Sequence, residues 1–131
     1  MNRKLQCLIV DDEIMGIRLL EAFVNKINYL ELAGSFGDAA DALNFLENQD
    51  IDILFTDIQM PGMNGLELIR SLPHPPVTIF VSAHRDFAPE GFETDAIDYL
   101  VKPVTFQRFE KAVEKARNYL LLKFEAEKNT T

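Results

Sequence analysis

Five side chains in this sequence could do chemistry together, and each follows a short apolar run. Asp11 and Asp12 come after Leu5–Val10, Asp57 after Ile51–Thr56, Ser82 after Val77–Val81, and Lys102 after Ile97–Val101. Three carboxylates drawn to one place repel each other and raise at least one pKa unless positive charge sits among them. A hard divalent cation, Mg²⁺ or in its stead Mn²⁺, meets that need: it takes oxygen ligands and keeps several waters, which leaves room for a phosphate oxygen. A carboxylate beside such a cation and an ammonium group suits phosphoryl transfer, where positioning and charge neutralisation carry most of the catalysis. Carboxylates serve as nucleophiles in such reactions. Spacing alone does not say which acid attacks. Asp57, alone ahead of a Met60-Pro61-Gly62 turn, is the least encumbered, and the Asp11-Asp12 pair is better placed to hold metal.

Bringing these residues together requires a fold that collects strand ends. The five strand candidates are Leu5–Val10, Leu30–Ser35, Ile51–Thr56, Val77–Val81 and Ile97–Val101, most of them nearly continuous in apolar residues, as in strands buried on both faces. Amphipathic stretches lie between them. Ile14, Ile17, Leu20, Val24 and Ile27 predict a helix from about Ile14 to Lys26. Asp38 is the N-cap of a second helix, with Ala39, Ala42, Leu43 and Leu46 facing the core. Asn64 caps a short third helix carrying Leu66, Leu68 and Ile69, which Pro73-His74-Pro75-Pro76 terminates. A fourth, around Phe87, Gly91 and Phe92, is weakened by Pro89 and Gly91. A last helix runs from about Thr105 past Tyr119 on Phe106, Phe109, Val113, Ala116 and Leu120. The alternation predicts an α/β fold, a doubly wound parallel sheet with helices on both sides, and in such sheets ligands bind at the carboxyl ends of the strands.

Length and composition agree with a single domain: 131 residues, 47% hydrophobic and 26% charged, enough for one core without staples. The domain is expected to span residues 1–122, with 123–131 as a tail or the start of a linker, because Glu125–Thr131 has almost no apolar content. With 21 acidic against 13 basic side chains, the net charge of −8 repels nucleic acid and anionic membrane surfaces. The lone Cys7 sits in an apolar run and cannot form an internal disulfide, which suits a reducing cytoplasm. The first apolar run is too short for a signal peptide or a membrane span.

LIVDDE near the start, ILFTDIQMPGMNGLEL in the middle, FVSAH, and DYLVKP near the end resemble the receiver domain of bacterial two-component response regulators. The likeness runs from about Leu5 to Tyr119, with four motifs in order, each at a strand end. It implies a flavodoxin-like five-stranded sheet of order 2-1-3-4-5 and a Mg²⁺-dependent signalling switch rather than a turnover enzyme. By that likeness Asp57 is the phosphoacceptor, taking a phosphoryl group from a sensor histidine kinase. Asp11, Asp12, Asp57 and the Gln59 main-chain carbonyl would hold the metal, Asp12 more directly than Asp11. Lys102 would pair with the phosphoryl oxygens and Ser82 would hydrogen-bond to them. Lys102-Pro103 resembles the family's cis peptide. Ser82 and Tyr99 would form the switch, and the readout would be the surface of the fourth helix, fifth strand and fifth helix. Gln59 and His84, two residues beyond Asp57 and Ser82, would tune hydrolysis of the acyl phosphate; glutamine offers no strong general base, which favours slow self-dephosphorylation.

DFAPEGFETDAIDYLVKP is also similar to receivers that precede a LytTR-type DNA-binding domain. These 131 residues hold no such domain and no basic helix, so DNA contact would fall to an output domain or partner protein controlled by the switch. The chain is then either a free-standing receiver or the regulatory piece of a longer transcription regulator. The run Leu120-Leu121-Leu122, wider than one helical face, would mark a homodimer contact on activation.

Plainer readings exist for each residue. Asp11 and Asp12 suit a helix N-terminus, Asp57 suits a turn, Lys102 suits a solvated surface, and Tyr99 suits simple packing. His84 is more often an exposed loop residue, and His74 carries no functional argument. Two other functions compete: a metal-dependent phosphohydrolase with an aspartyl-phosphate intermediate, and a binding module that never receives phosphate. The hydrolase needs an acid/base two residues after its nucleophile, where this chain has Gln59; the acid, hydroxyl and lysine set argues against the module.

Overall fold

A computed structural model describes residues 3–83 and 95–128. Five parallel strands, β1 (Leu5–Val10), β2 (Leu30–Phe36), β3 (Ile53–Thr56), β4 (Val77–Ser82) and β5 (Asp98–Val101), form one sheet of order β2-β1-β3-β4-β5. Helices α1 (Ile14–Asn25), α2 (Ala39–Asn48) and α3 (Gly65–Arg70) and a last helix over Phe106–Lys128 pack around it. The expected α/β class and strand order therefore hold. The predicted fourth helix, and with it His84, lies outside the described residues.

Continuous apolar runs mark the inner strands. Every residue of β3 is buried, as is all of β1 except Gln6 and all of β4 except Val77, whereas the edge strand β2 is largely exposed or half-buried. Two cores result. On one face, Cys7, Ile9, Phe55, Ile79 and Leu100 meet α1 and the last helix; on the other, Leu8, Val10, Leu54 and Phe80 meet α2 and α3. The first core is closed by aromatic rings: Phe109 of the last helix stacks on Phe55 at 5.0 Å and tilts against Phe23 of α1 at 5.3 Å. Each such pair adds about 0.5–1.5 kcal/mol beyond area burial, which ties α1 and the last helix to the central strand.

The predicted caps form. Asp38 accepts hydrogen bonds from the Ala40 and Asp41 amides, and Asn64 with Glu67 makes a reciprocal capping box on α3. Thr105 receives the Arg108 amide at its side chain and the Phe109 amide at its carbonyl, starting the last helix where its periodicity begins. One residue departs from its expected face. Ile14, read as the first core position of α1, is 64% exposed beside Met15 at 76%; the buried face is instead set by Leu20, Phe23 and Val24. The helix enters from the acidic loop, so its first turn overhangs the sheet end rather than lying on it. The last helix continues to Lys128, through most of the stretch read as a tail, although Leu120 is its final buried residue.

Candidate functional site

The parallel ladder delivers the acids. Beyond the last strand residues, the Asp11 amide still donates to the Phe36 carbonyl at 3.0 Å and the Asp57 amide to the Val10 carbonyl at 2.9 Å. Both backbones thus remain in sheet pairing while their side chains emerge at its carboxyl end. Val10 pairs with Thr56 in the register, so Asp11 and Asp57 follow neighbouring strand ends at the same level. Ser82 and Val101 are paired one strand over, and the Lys102 amide donates to the Ser82 carbonyl at 2.8 Å.

These side chains converge. Lys102 Nζ donates to Asp11 Oδ2 at 2.8 Å and to Asp57 Oδ2 at 3.2 Å, with Glu13 Oε1 at 3.5 Å. Asp11, Asp12, Glu13 and Asp57 each bring a ligand atom within 4.8 Å of the others. The other oxygens are committed: Asp11 Oδ1 accepts the Glu13 amide at 2.9 Å, and Asp57 Oδ1 accepts the Ile58 amide at 2.7 Å and the Gln59 amide at 3.3 Å. Asp11 and Asp57 are buried, Asp12 and Glu13 exposed. The Lys102-Pro103 bond is cis, as the motif implies.

One ammonium among this many carboxylates leaves the charge unbalanced. Burial pushes the Asp57 carboxyl above its ordinary range, and Asp11 adds to the push, against the pull of Lys102. Burial alone would lower Lys102, but its bond to Asp11 and the charges of Asp57 and Asp11 hold it above the usual lysine value. A cation placed among the carboxylates would relieve both effects, and an all-oxygen donor set is what a hard cation takes. The site opens to a cleft of ≈ 550 Å³ lined by Asp12, Glu13, Asp57, Gln59, Met60 and Ala83 among others. A larger groove, ≈ 760 Å³, lies at the opposite end of the sheet near Asp52, Val77 and Ile97, away from these acids.

Of the residues singled out in the sequence, Asp11, Asp12, Asp57 and Lys102 are brought together. Gln59 is exposed at the cleft, Ser82 is fully buried at the end of β4, and Tyr99 is buried on β5 with its ring 6.4 Å from Phe80. Other residues were missed. Glu13 supplies a fourth acid; its only signal was adjacency to Asp11-Asp12. Gly65 opens α3 so close to the chain that a Cβ there would overlap the Asp57 carbonyl oxygen and come within 3.1 Å of Ile58 Cα. Asp98 is a buried acid at the start of β5 that accepts two bonds from Arg108 and one from Lys115, fastening the last helix to the strand that leads into Lys102. Its charge within an otherwise apolar strand was the available sign.

Residues 7–114 match the response regulator receiver domain. The chain belongs to the response regulator receiver family. The Sensory transduction protein LytR of Staphylococcus saprophyticus is 37% identical over 88% of this chain, and Protein MrkE of Klebsiella pneumoniae is 33% identical over 87%. The receiver spans about half the length of these curated relatives, 47% and 44% respectively. The crystal structure of the response regulatory domain of MrkE superposes on it with a TM-score of 0.81 at 31% identity, covering 88% of this chain and 97% of that one. The receiver is a regulatory domain rather than a catalyst, and no described helix is long and apolar enough to cross a membrane.

Proposed function

We propose that this receiver is a phosphorylation-dependent switch whose phosphoacceptor is Asp57. The observation that carries the reading is the position of the Lys102 ammonium between Asp11 and Asp57, with Asp12 and Glu13 beside them. Asp11, Asp12 and Asp57, with the Gln59 main-chain carbonyl, would hold Mg²⁺, and Glu13 lies near enough to steer it. The metal supplies neutralisation of phosphoryl oxygens. The remaining work belongs to the chain. The Ile58 and Gln59 amides hold Asp57 Oδ1, which leaves Oδ2 to bond phosphorus as the bond from phosphorus to the donor nitrogen breaks, and the departing imidazole retains its electron pair and takes a proton. Lys102 then follows the new negative charge.

Ser82 and Tyr99 form the proposed switch. The Lys102 amide is bonded to the Ser82 carbonyl, so a shift of the lysine toward a phosphoryl group reaches β4 through the main chain. Tyr99 lies on β5 against Phe80, two residues before Ser82. Phosphorylation repopulates a pre-existing alternative arrangement rather than creating one. The natural donor is a sensor histidine kinase in the cytoplasm, and the output is a domain or partner of the LytTR DNA-binding class. Gln59 makes hydrolysis of the phosphorylated form slow, and His84 is the second residue proposed to tune it. The test is intact mass after incubation with acetyl phosphate and Mg²⁺. One phosphoryl group on the wild type and none on Asp57→Ala supports the switch; no gain by the wild type overturns it, and continuous release of phosphate favours a hydrolase.

A further inference from the structure

Gly16, the third residue of α1, occupies a position that any other side chain would contest. A Cβ built there overlaps Asp11 Oδ2, lies 3.1 Å from Asp11 Cγ and 3.5 Å from Lys102 Nζ. Glycine is a poor helix former, and alanine would serve the first turn better on propensity alone. The carboxylate that fills this space has no freedom to spare. Asp11 is 1% exposed, one oxygen is fixed by the Glu13 amide at 2.9 Å, and the other by Lys102 at 2.8 Å.

We propose that Gly16 is a positioning residue of the acidic site: its missing side chain is the space into which Asp11 turns Oδ2 to meet Lys102. A Cβ would drive the carboxylate out of that space, break its bond to Lys102 and take Asp11 out of the set of four acids whose ligand atoms now lie within 4.8 Å. Lys102, held at present between Asp11 and Asp57, would be left with Asp57 and the exposed Glu13. Gly16 therefore acts through Asp11 and has no contact of its own with the reacting atoms. The metal-binding consequence rests on the proposed Mg²⁺ site; the packing consequence does not.

A cycle of four full-chain proteins tests both: wild type, Gly16→Ala, Asp11→Ala and the double variant. In metal-free buffer, Gly16→Ala is expected to lower the Tm of the wild type but to raise that of Asp11→Ala by about 2–4 °C, the usual gain for glycine to alanine in a helix once nothing opposes the new methyl. The same sign in both backgrounds overturns the proposal. If Gly16→Ala alone does not fold, a folded double variant supports the proposal and an unfolded one overturns it. By calorimetric titration, Gly16→Ala is expected to weaken Mg²⁺ binding about tenfold, as loss of a supporting group around metal ligands commonly does; an unchanged Kd overturns the positioning role. A wild type that binds no Mg²⁺ refutes the metal site itself, and the unfolding cycle still decides Gly16.

Discussion

Replacing Asp98 with alanine removes the acceptor for four donors at once: Arg108 Nη2 at 2.7 Å and Nη1 at 2.9 Å, Lys115 Nζ at 3.2 Å and the Tyr99 amide at 2.8 Å. The Asp98 side chain is 7% exposed, but Arg108 and Lys115 are 42% and 52% exposed, so both cations regain water when the carboxylate goes. Their share is accordingly that of a screened pair, and the loss is smaller than for a stranded buried charge. With about 1 kcal/mol for the bidentate arginine, about 1 for the Tyr99 amide and a few tenths for the lysine, the variant should lose about 2–3 kcal/mol. At a urea slope of about 1.5–2 kcal/mol per M, the unfolding midpoint falls by about 1–2 M. Although burial opposes ionisation, the Arg108 bonds and the Tyr99 amide hold the Asp98 carboxyl below its ordinary range. Its contribution is therefore complete above the unfolded value of about 3.9 and is lost as pH falls through the lower folded value. The midpoint gap between wild type and variant should stay constant from neutral pH to about pH 4 and close below it. Equal midpoints at pH 7, or a gap that closes on the alkaline side, would refute the reasoning.

Two further outcomes follow from the site. Because Asp57 is held above its ordinary carboxyl range, ionising it in the fold is unfavourable and stability falls as pH rises through that range; Asp57→Asn should therefore raise the Tm at pH 7 by about 2 °C or more, with the difference vanishing in acid and with a smaller gain from added Mg²⁺ than the wild type shows. A variant less stable than wild type in metal-free melts contradicts this. Gly65→Ala should destabilise by about 1–3 kcal/mol in urea unfolding despite alanine's helix preference, because the atoms it meets are main chain of Asp57 and Ile58 and cannot swing aside; a stabilised variant would show that α3 is free to move.

Much of this arrangement was legible before any coordinates. Short apolar runs located all five strands within two residues of their observed ends; the inner strands, buried on both faces, tolerate little else, whereas the edge strand β2 is interrupted by polar residues and largely exposed or half-buried. The acids and Lys102 were found because each directly follows such a run, and an open parallel sheet gathers those positions at one end. What escaped depends on distance rather than pattern. Gly16 and Gly65 matter through overlap with Asp11 and with the Asp57 main chain, and neither the periodicity of α1 nor the cap at Asn64 carries that information. Asp98 could be recognised as a charge in a buried strand, yet its partners Arg108 and Lys115 lie a turn and more along a different element. Ile14 shows the opposite error: a helical period identifies a stripe but not where along it the sheet stops.

The role of Asp57 is tested most directly by trapping the acyl phosphate and finding which carboxylate carried it. Reduction of the acetyl-phosphate-treated, Mg²⁺-containing protein with borohydride converts an aspartyl phosphate into homoserine, and tandem mass spectrometry then locates it. The predicted result is homoserine at position 57 alone, abolished when Mg²⁺ is withheld; homoserine at position 11 or 12, or at none, would contradict the assignment.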